Sequence, residues 1–208
     1  MSKKRLDEYN KKYGHIPKNF SERFIHLLDE LKIKQSELPL LKQSVKKALR
    51  VEYERISFVF YFVPQATPRA RYSRFTKAFY VKNALDYNKL FGEFVESNEF
   101  IDFKISTPCE FTCITYSPMP EGMNKIEKLL AELSLIKCIS KPDWDNLGKT
   151  YSDMVQKHLL IDDCLIYKGT TEKYYSTRPR IEITIDYMVE HDSKYNRNKV
   201  KKWKSYNE

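Results

Sequence analysis

The spacing of apolar residues changes period several times along the chain. From Ser21, the residues Phe24, Leu27, Leu28 and Leu31 recur at helical spacing, and a second helical stretch runs to about Arg50 with an interruption near Pro39. From Arg55 the period becomes two. Ile56, Phe58, Phe60 and Phe62 alternate with Ser57, Val59 and Tyr61, which predicts a strand closed by Pro64 and Pro68. Tyr87, Leu90, Phe91, Phe94 and Val95 return to helical spacing. Glu110 to Tyr116 reads as a strand ended by Pro118 and Pro120, and Ile126, Leu129, Leu130 and Leu133 mark a short helix. Cys164 to Tyr175 is extended, Ser176 to Pro179 forms a turn, and Ile181, Ile183, Ile185 and Tyr187 alternate with polar residues in a last strand. This order predicts an α/β (α+β) fold, a mixed β-sheet with helices packed against it. It divides the chain into an N-terminal arm and helical extension over 1–54, a main domain over 55–190 and a tail over 191–208.

Charge sharpens that division. The 208-residue chain carries a formal charge of +9. Residues 1–18 hold Lys3, Lys4, Arg5, Lys11, Lys12 and Lys18 against Asp7 and Glu8, net +4. Residues 191–208 hold Lys194, Arg197, Lys199, Lys201, Lys202 and Lys204 against Asp192 and Glu208, again net +4. The two ends therefore carry nearly all the excess and read either as basic arms for phosphates or as solvated termini. No run of about 18 apolar residues predicts a membrane span, and the first residues lack the apolar stretch of a secretory signal. The four cysteines show no Cys-x-x-Cys spacing and read as reduced, which together places the chain in the cytoplasm. The four scattered histidines argue against zinc.

Against this basic background, residues 141–163 concentrate acidic groups: Lys141-Pro142-Asp143-Trp144-Asp145-Asn146-Leu147-Gly148-Lys149, then Asp153 and Asp162-Asp163. Clustered carboxylates repel, and a divalent cation resolves the repulsion. An extended stretch after Pro142 would point Asp143 and Asp145 the same way, toward one ion. The helix that follows, with its N-cap at Asp145 or Asn146, has Leu147, Tyr151, Met154, Val155 and His158 on one face and an Asp145–Lys149–Asp153 row on the other. Asp153 reads as the partner in an exposed i, i+4 pair. Asp162 and Asp163 are expected to open a strand, with one of the two joining the ligands. Hard carboxylate oxygens suit Mg²⁺, with Mn²⁺ as a substitute, and Lys149 is placed to orient water or hold a phosphate.

These residues resemble the RusA family of phage and prophage Holliday-junction resolvases, over about residues 55–187. The likeness is carried by Lys141-Pro142-Asp143-Trp144-Asp145-Asn146-Leu147, Lys149, Asp153, Asp162-Asp163, Ile166, Lys173-Tyr174 and Pro179 to Ile183, with Pro68-Arg69-Ala70-Arg71 upstream. The resemblance implies a RusA-like nuclease domain in which Asp143, Asp145 and Asp163 bind catalytic Mg²⁺, Asp162 stands beside them, and Lys149 is the catalytic lysine. It also implies a homodimer nicking opposing strands of a four-way junction to leave 5′-phosphate and 3′-hydroxyl ends, in recombination and repair. Trp144 stands where an aliphatic residue is commoner, and Gly148 where a better helix former is expected.

Arg69, Arg71, Arg74 and Lys77, interleaved with Tyr72 and Phe75, form the expected DNA-contacting loop, with Lys141, Lys168 and Lys173 as further candidates. Two other readings fit parts of the pattern. One is a branched-DNA-binding protein without catalysis. The other is an Asp-x-Asp nucleotide-sugar transferase, against which the scarcity of glycine, five in all, weighs because no Gly-rich phosphate loop is present.

Overall fold

In a computed structural model of the chain, the described residues are 19–67, 71–73, 78–80 and 103–191, without the side chains of residue 20 and of the two three-residue strands. The helix expected around Tyr87–Val95 lies outside them, as do both charged ends. Two compact units divide between Val51 and Glu52.

The first unit holds α1 (Phe20–Glu30) and α2 (Leu38–Ala48), joined through a 3₁₀ turn at Gln35–Glu37. Asn19 caps α1 by accepting from the Ser21 N–H at 2.8 Å. Pro39 does not interrupt α2 as its position in sequence predicts; it occupies the first turn of that helix, where its missing N–H has no intrahelical acceptor to lose. Neither of these helices has fully buried side chains among those described, and Leu31, Leu40 and Leu49 are exposed.

The second unit is built on a four-stranded mixed sheet in the order β1-β6-β4-β5, with β1 at Tyr53–Phe60, β4 at Cys109–Pro118, β5 at Ile166–Ser176 and β6 at Arg180–Met188. Strands β2 (Arg71–Ser73) and β3 (Ala78–Tyr80) form a separate antiparallel pair. β6 runs antiparallel to both β1 and β4, whereas β4 and β5 are parallel. Parallel neighbours need a crossover, and here the intervening chain carries α3 (Lys125–Glu132) and α4 (Trp144–His158). A short turn then joins β5 to β6 past the end of β4.

Alternation decides which face is covered. Phe58, Phe60, Cys109, Phe111, Cys113, Ile181, Ile183 and Ile185 are buried on one side of the sheet and cluster with Leu147, Tyr151, Met154, Val155 and Leu159 of the α4 segment. At about 1.5–3 kcal/mol per fully buried large apolar side chain, this helix is held mainly by that face. The cysteines are free thiols; burial pushes Cys109 up to about 11 and Cys113 up to about 12. A second small cluster packs Ala131, Cys138 and Tyr175 under α3.

The opposite sheet face is polar. Arg55 pairs with Asp186 at 2.6 Å, and Lys168 pairs with Glu110 at 2.6 Å in the same cross-strand row. Farther along, the Arg180 guanidinium lies 3.5 Å from the centroid of the Tyr116 ring.

Candidate active site

The acidic motif lies at the start of α4, and its geometry differs from the extended-chain expectation. The helix begins at Trp144 and places its N-cap at Asp143, two residues earlier than Asp145. The extended bias that proline imposes acts on the residue before it, so it does not reach Asp145. Asp143 is the last extended residue (φ −67°, ψ 144°), while Asp145 lies in the first helical turn. The i, i+2 argument for a shared direction therefore does not hold. At the helix terminus Asp143 makes no capping bond with its side chain, and both carboxylates are exposed near the positive end of the helix dipole.

Asp162 and Asp163 do not open a strand. They form a 3₁₀ turn before β5, and this turn separates their roles. The Asp162 side chain accepts the Cys164 N–H at 3.0 Å and caps the turn, whereas Asp163 is exposed within it. Lys149, one turn into α4, donates to Asp153 at 2.9 Å. The hydrogen bond to Asp153 and the charge of that carboxylate hold the lysine above its ordinary range, and the charge of Asp163 adds to them. The structure thus brings Asp163 into electrostatic reach of Lys149, and Asp153 occupies the exposed i, i+4 position expected of it.

Three contacts fix where the helix starts. Lys173, on the α4 side of β5, extends its ammonium to the carbonyls of Ser140 (2.5 Å) and Pro142 (2.6 Å), clamping the turn that delivers Asp143. Gly148 lies against β5 so closely that a Cβ there would stand 2.3 Å from the Thr171 hydroxyl oxygen. This close approach is why a poor helix former occupies an early helical turn. On the other side of α4, three residues hold the strap that leads into the arginine loop. The Tyr151 hydroxyl accepts the Gln65 N–H (3.1 Å) and donates to the Gln65 carbonyl (3.0 Å). Thr150 Oγ1 accepts the Thr67 N–H at 2.8 Å, and Asn146 Nδ2 donates to the Thr67 carbonyl at 3.2 Å.

Neither the clamp nor the strap is foreseen in the sequence reading, although two hydroxyl side chains on the buried face of α4 signal that polar partners must be found. Of the expected DNA-contacting residues, Arg69, Arg74 and Lys77 lie outside the described residues, and Arg71 is described only as backbone in β2. Lys141 is exposed next to the motif. Lys168 is not brought to it: its side chain is on the opposite sheet face, paired with Glu110. Lys173 is half-buried and committed to the turn.

Comparison with known proteins bears on this arrangement. The family described as Endodeoxyribonuclease RusA matches residues 62–186, which span β2 through most of β6 and every residue of the motif. The chain belongs to the RusA endodeoxyribonuclease family. RusA nucleases act in Holliday-junction resolution and recombination, bind branched DNA, and are in general dependent on a divalent metal. An uncharacterized protein of Bacillus subtilis (strain 168), YqaN, is 29% identical over 134 residues, which cover 62% of this chain and 94% of the relative. The two helices of the first unit precede the matched segment.

The donor set fits a hard divalent cation in chemistry, since Asp143, Asp145 and Asp163 offer only carboxylate oxygens. Among the described residues no three His, Cys, Asp or Glu side chains come together as a group that could hold a metal ion, so Asp143, Asp145 and Asp163 do not converge on one point here. A closed cage is not needed for Mg²⁺, which is usually held by one or two carboxylates together with water and substrate phosphate. No helix among the described residues is long and apolar enough to cross a membrane.

Proposed function

We propose that this RusA-family chain is a Mg²⁺-dependent, structure-selective endodeoxyribonuclease that resolves four-way DNA junctions by paired nicks. The observation that carries the reading is the α4 terminus inside the family-matched segment, with Asp143 at the N-cap, Asp145 in the first turn, Lys149 one turn on, and the charge of Asp163 acting on Lys149.

Asp143 and Asp145, with Asp163 across from Lys149, would hold the cation. When bound, Mg²⁺ supplies Lewis-acid charge at the scissile phosphate and acidifies a water. The chain's own residues do the rest. Lys149 is held protonated by Asp153 and presents an ammonium to a phosphate oxygen, where charge grows in the transition state. Lys173 keeps the Ser140–Pro142 turn, and so Asp143, at a fixed height over β5. Asn146, Thr150 and Tyr151 anchor Gln65 and Thr67 against the same helix, just ahead in the chain of Arg69, Arg71, Arg74 and Lys77. These cations would hold phosphates of the junction arms, and Lys141 those nearest the motif.

Two nicks on opposing strands need two such sites, and therefore a second copy of the chain. Ile126 and Leu129 of α3, with Leu133 just past its end, form an exposed apolar stripe that such a homodimer would cover. Replacing Asp143 or Asp145 by asparagine removes ligand charge while keeping shape. Either variant should lose cleavage of a synthetic four-way junction and still retard it in a gel. Normal cleavage by either variant would sink the assignment, and wild-type retardation without nicking would leave a junction-binding protein.

A further inference from the structure

Trp144 stands between the two carboxylates of the motif, as the first residue of α4. Its side chain is 64% exposed. Among the described residues its indole has neither a ring contact nor a hydrogen bond. Single exposed apolar residues are ordinary, but this one is the largest side-chain type there is and sits inside the motif, and packing gives it no role: Leu147, Tyr151, Met154 and Val155 already fill the buried face of the helix.

The neighbours of the ring limit what can cover it. A protein surface laid over Trp144 would crowd the start of α4, where Asp143 and Asp145 are also exposed, and hinder DNA from reaching the motif. A phosphate has no attraction to an uncharged ring, least of all at a helix start that carries two carboxylates. A nucleobase does, because every base has a π-face, and base–aromatic stacking contributes without regard to sequence. Bases at the crossover of a branched substrate are the ones that can leave their stack. We infer that Trp144 is a substrate-positioning residue whose indole stacks on a base unpaired at the branch point, setting the strand next to Asp143 and Asp145. The inference rests on the nuclease reading above and gives this chain a recognition element in addition to phosphate contacts.

The test uses the full chain with Trp203→Phe, so that Trp144 is the one remaining tryptophan, titrated in EDTA with a four-way junction carrying 2-aminopurine at the crossover. Stacking predicts quenching of both the indole and the 2-aminopurine emission. Trp144→Ala should weaken junction binding by about 5- to 150-fold, the range that corresponds to the loss of one base stack of about 1–3 kcal/mol. Trp144→Phe should recover most of it. The salt dependence of binding should keep its slope, because stacking releases no counterions. Affinity for a fully paired duplex should not change.

Unaltered junction affinity in Trp144→Ala, or equal losses on junction and duplex, overturns the inference. If the wild-type chain binds and nicks the junction while Trp144→Ala does so equally well, only the stacking role fails. A wild-type chain that does not bind the junction overturns both the inference and the nuclease reading.

Discussion

Gly148→Ala measures how tightly the motif helix is seated. Two effects oppose each other. Alanine is favoured over glycine inside a helix by about 0.8–1 kcal/mol. The new methyl, however, would stand 2.3 Å from Thr171 Oγ1, with the Thr171 Cβ at 3.4 Å and Cγ2 at 3.7 Å. Turning the Thr171 hydroxyl away is restricted, because the side chain is β-branched and Cγ2 or the β-hydrogen must then take its place, while the Cβ itself stays at ordinary contact distance. Overpacking of this kind costs about 1–3 kcal/mol, so the single variant should be destabilised by about 1 kcal/mol, or about 2–4 °C in Tm for a chain of this size. In a Thr171→Ala background the obstacle is gone and only the helix-propensity gain remains, so Gly148→Ala should then stabilise. Urea denaturation of wild type, both singles and the double gives the coupling energy, expected at about 1–3 kcal/mol. A stabilised single variant with no coupling would show that α4 does not lie against β5 at this point, and the placement of Asp145 and Lys149 would fall with it.

Three further outcomes follow from the same contacts. Tyr151→Phe leaves both backbone groups of Gln65 without their partner and should cost about 1–3 kcal/mol in urea denaturation; an unchanged midpoint would mean that water replaces the hydroxyl. Glu132 accepts the Thr177 N–H at 2.8 Å and the Ser176 hydroxyl at 2.9 Å, and the first of these bonds leads in holding its carboxyl below the usual range. Its contribution to stability is therefore complete above the unfolded value of about 4.3 and is lost as pH falls through the lower folded value, so Glu132→Gln should flatten the loss of stability on acidification there; an identical pH profile would contradict the contact. Leu129→Glu on the exposed stripe of α3 should convert a dimer to a monomer in sedimentation velocity, and a wild-type chain that already sediments as a monomer would contradict the paired-site reading.

The strands were legible where one face is buried and apolar. Ile181, Ile183 and Ile185 alternate in sequence because only one side of β6 faces the core. β4 reaches Pro118, beyond the sequence reading, because its last inward positions are Thr115 and Ser117, which carry no hydrophobic signal. The neighbours of β5 could not be read, since β4, distant in sequence, is its partner and separates it from β6. At the site, the residue types and spacing pointed to a group of carboxylates with a lysine, but the local backbone did not follow from them. A single 3₁₀ turn capped by Asp162 leaves no periodic trace, and Pro142 gave no warning that the helix would start at Trp144. The reasons for Gly148 and Lys173 lie in contacts with residues far away in the chain, Thr171 in one case and the Ser140–Pro142 turn in the other.

The central claim is that the carboxylates at the start of α4 cut branched DNA with the help of a divalent cation. Its most direct test is to incubate the full chain with an end-labelled synthetic four-way junction, with Mg²⁺ and with EDTA, and to resolve the products on a denaturing gel. The account predicts paired nicks on opposing strands in Mg²⁺, with 5′-phosphate and 3′-hydroxyl ends that a ligase rejoins, and intact strands in EDTA. Intact strands in Mg²⁺ with the junction fully bound, or equal cutting in EDTA, would contradict it.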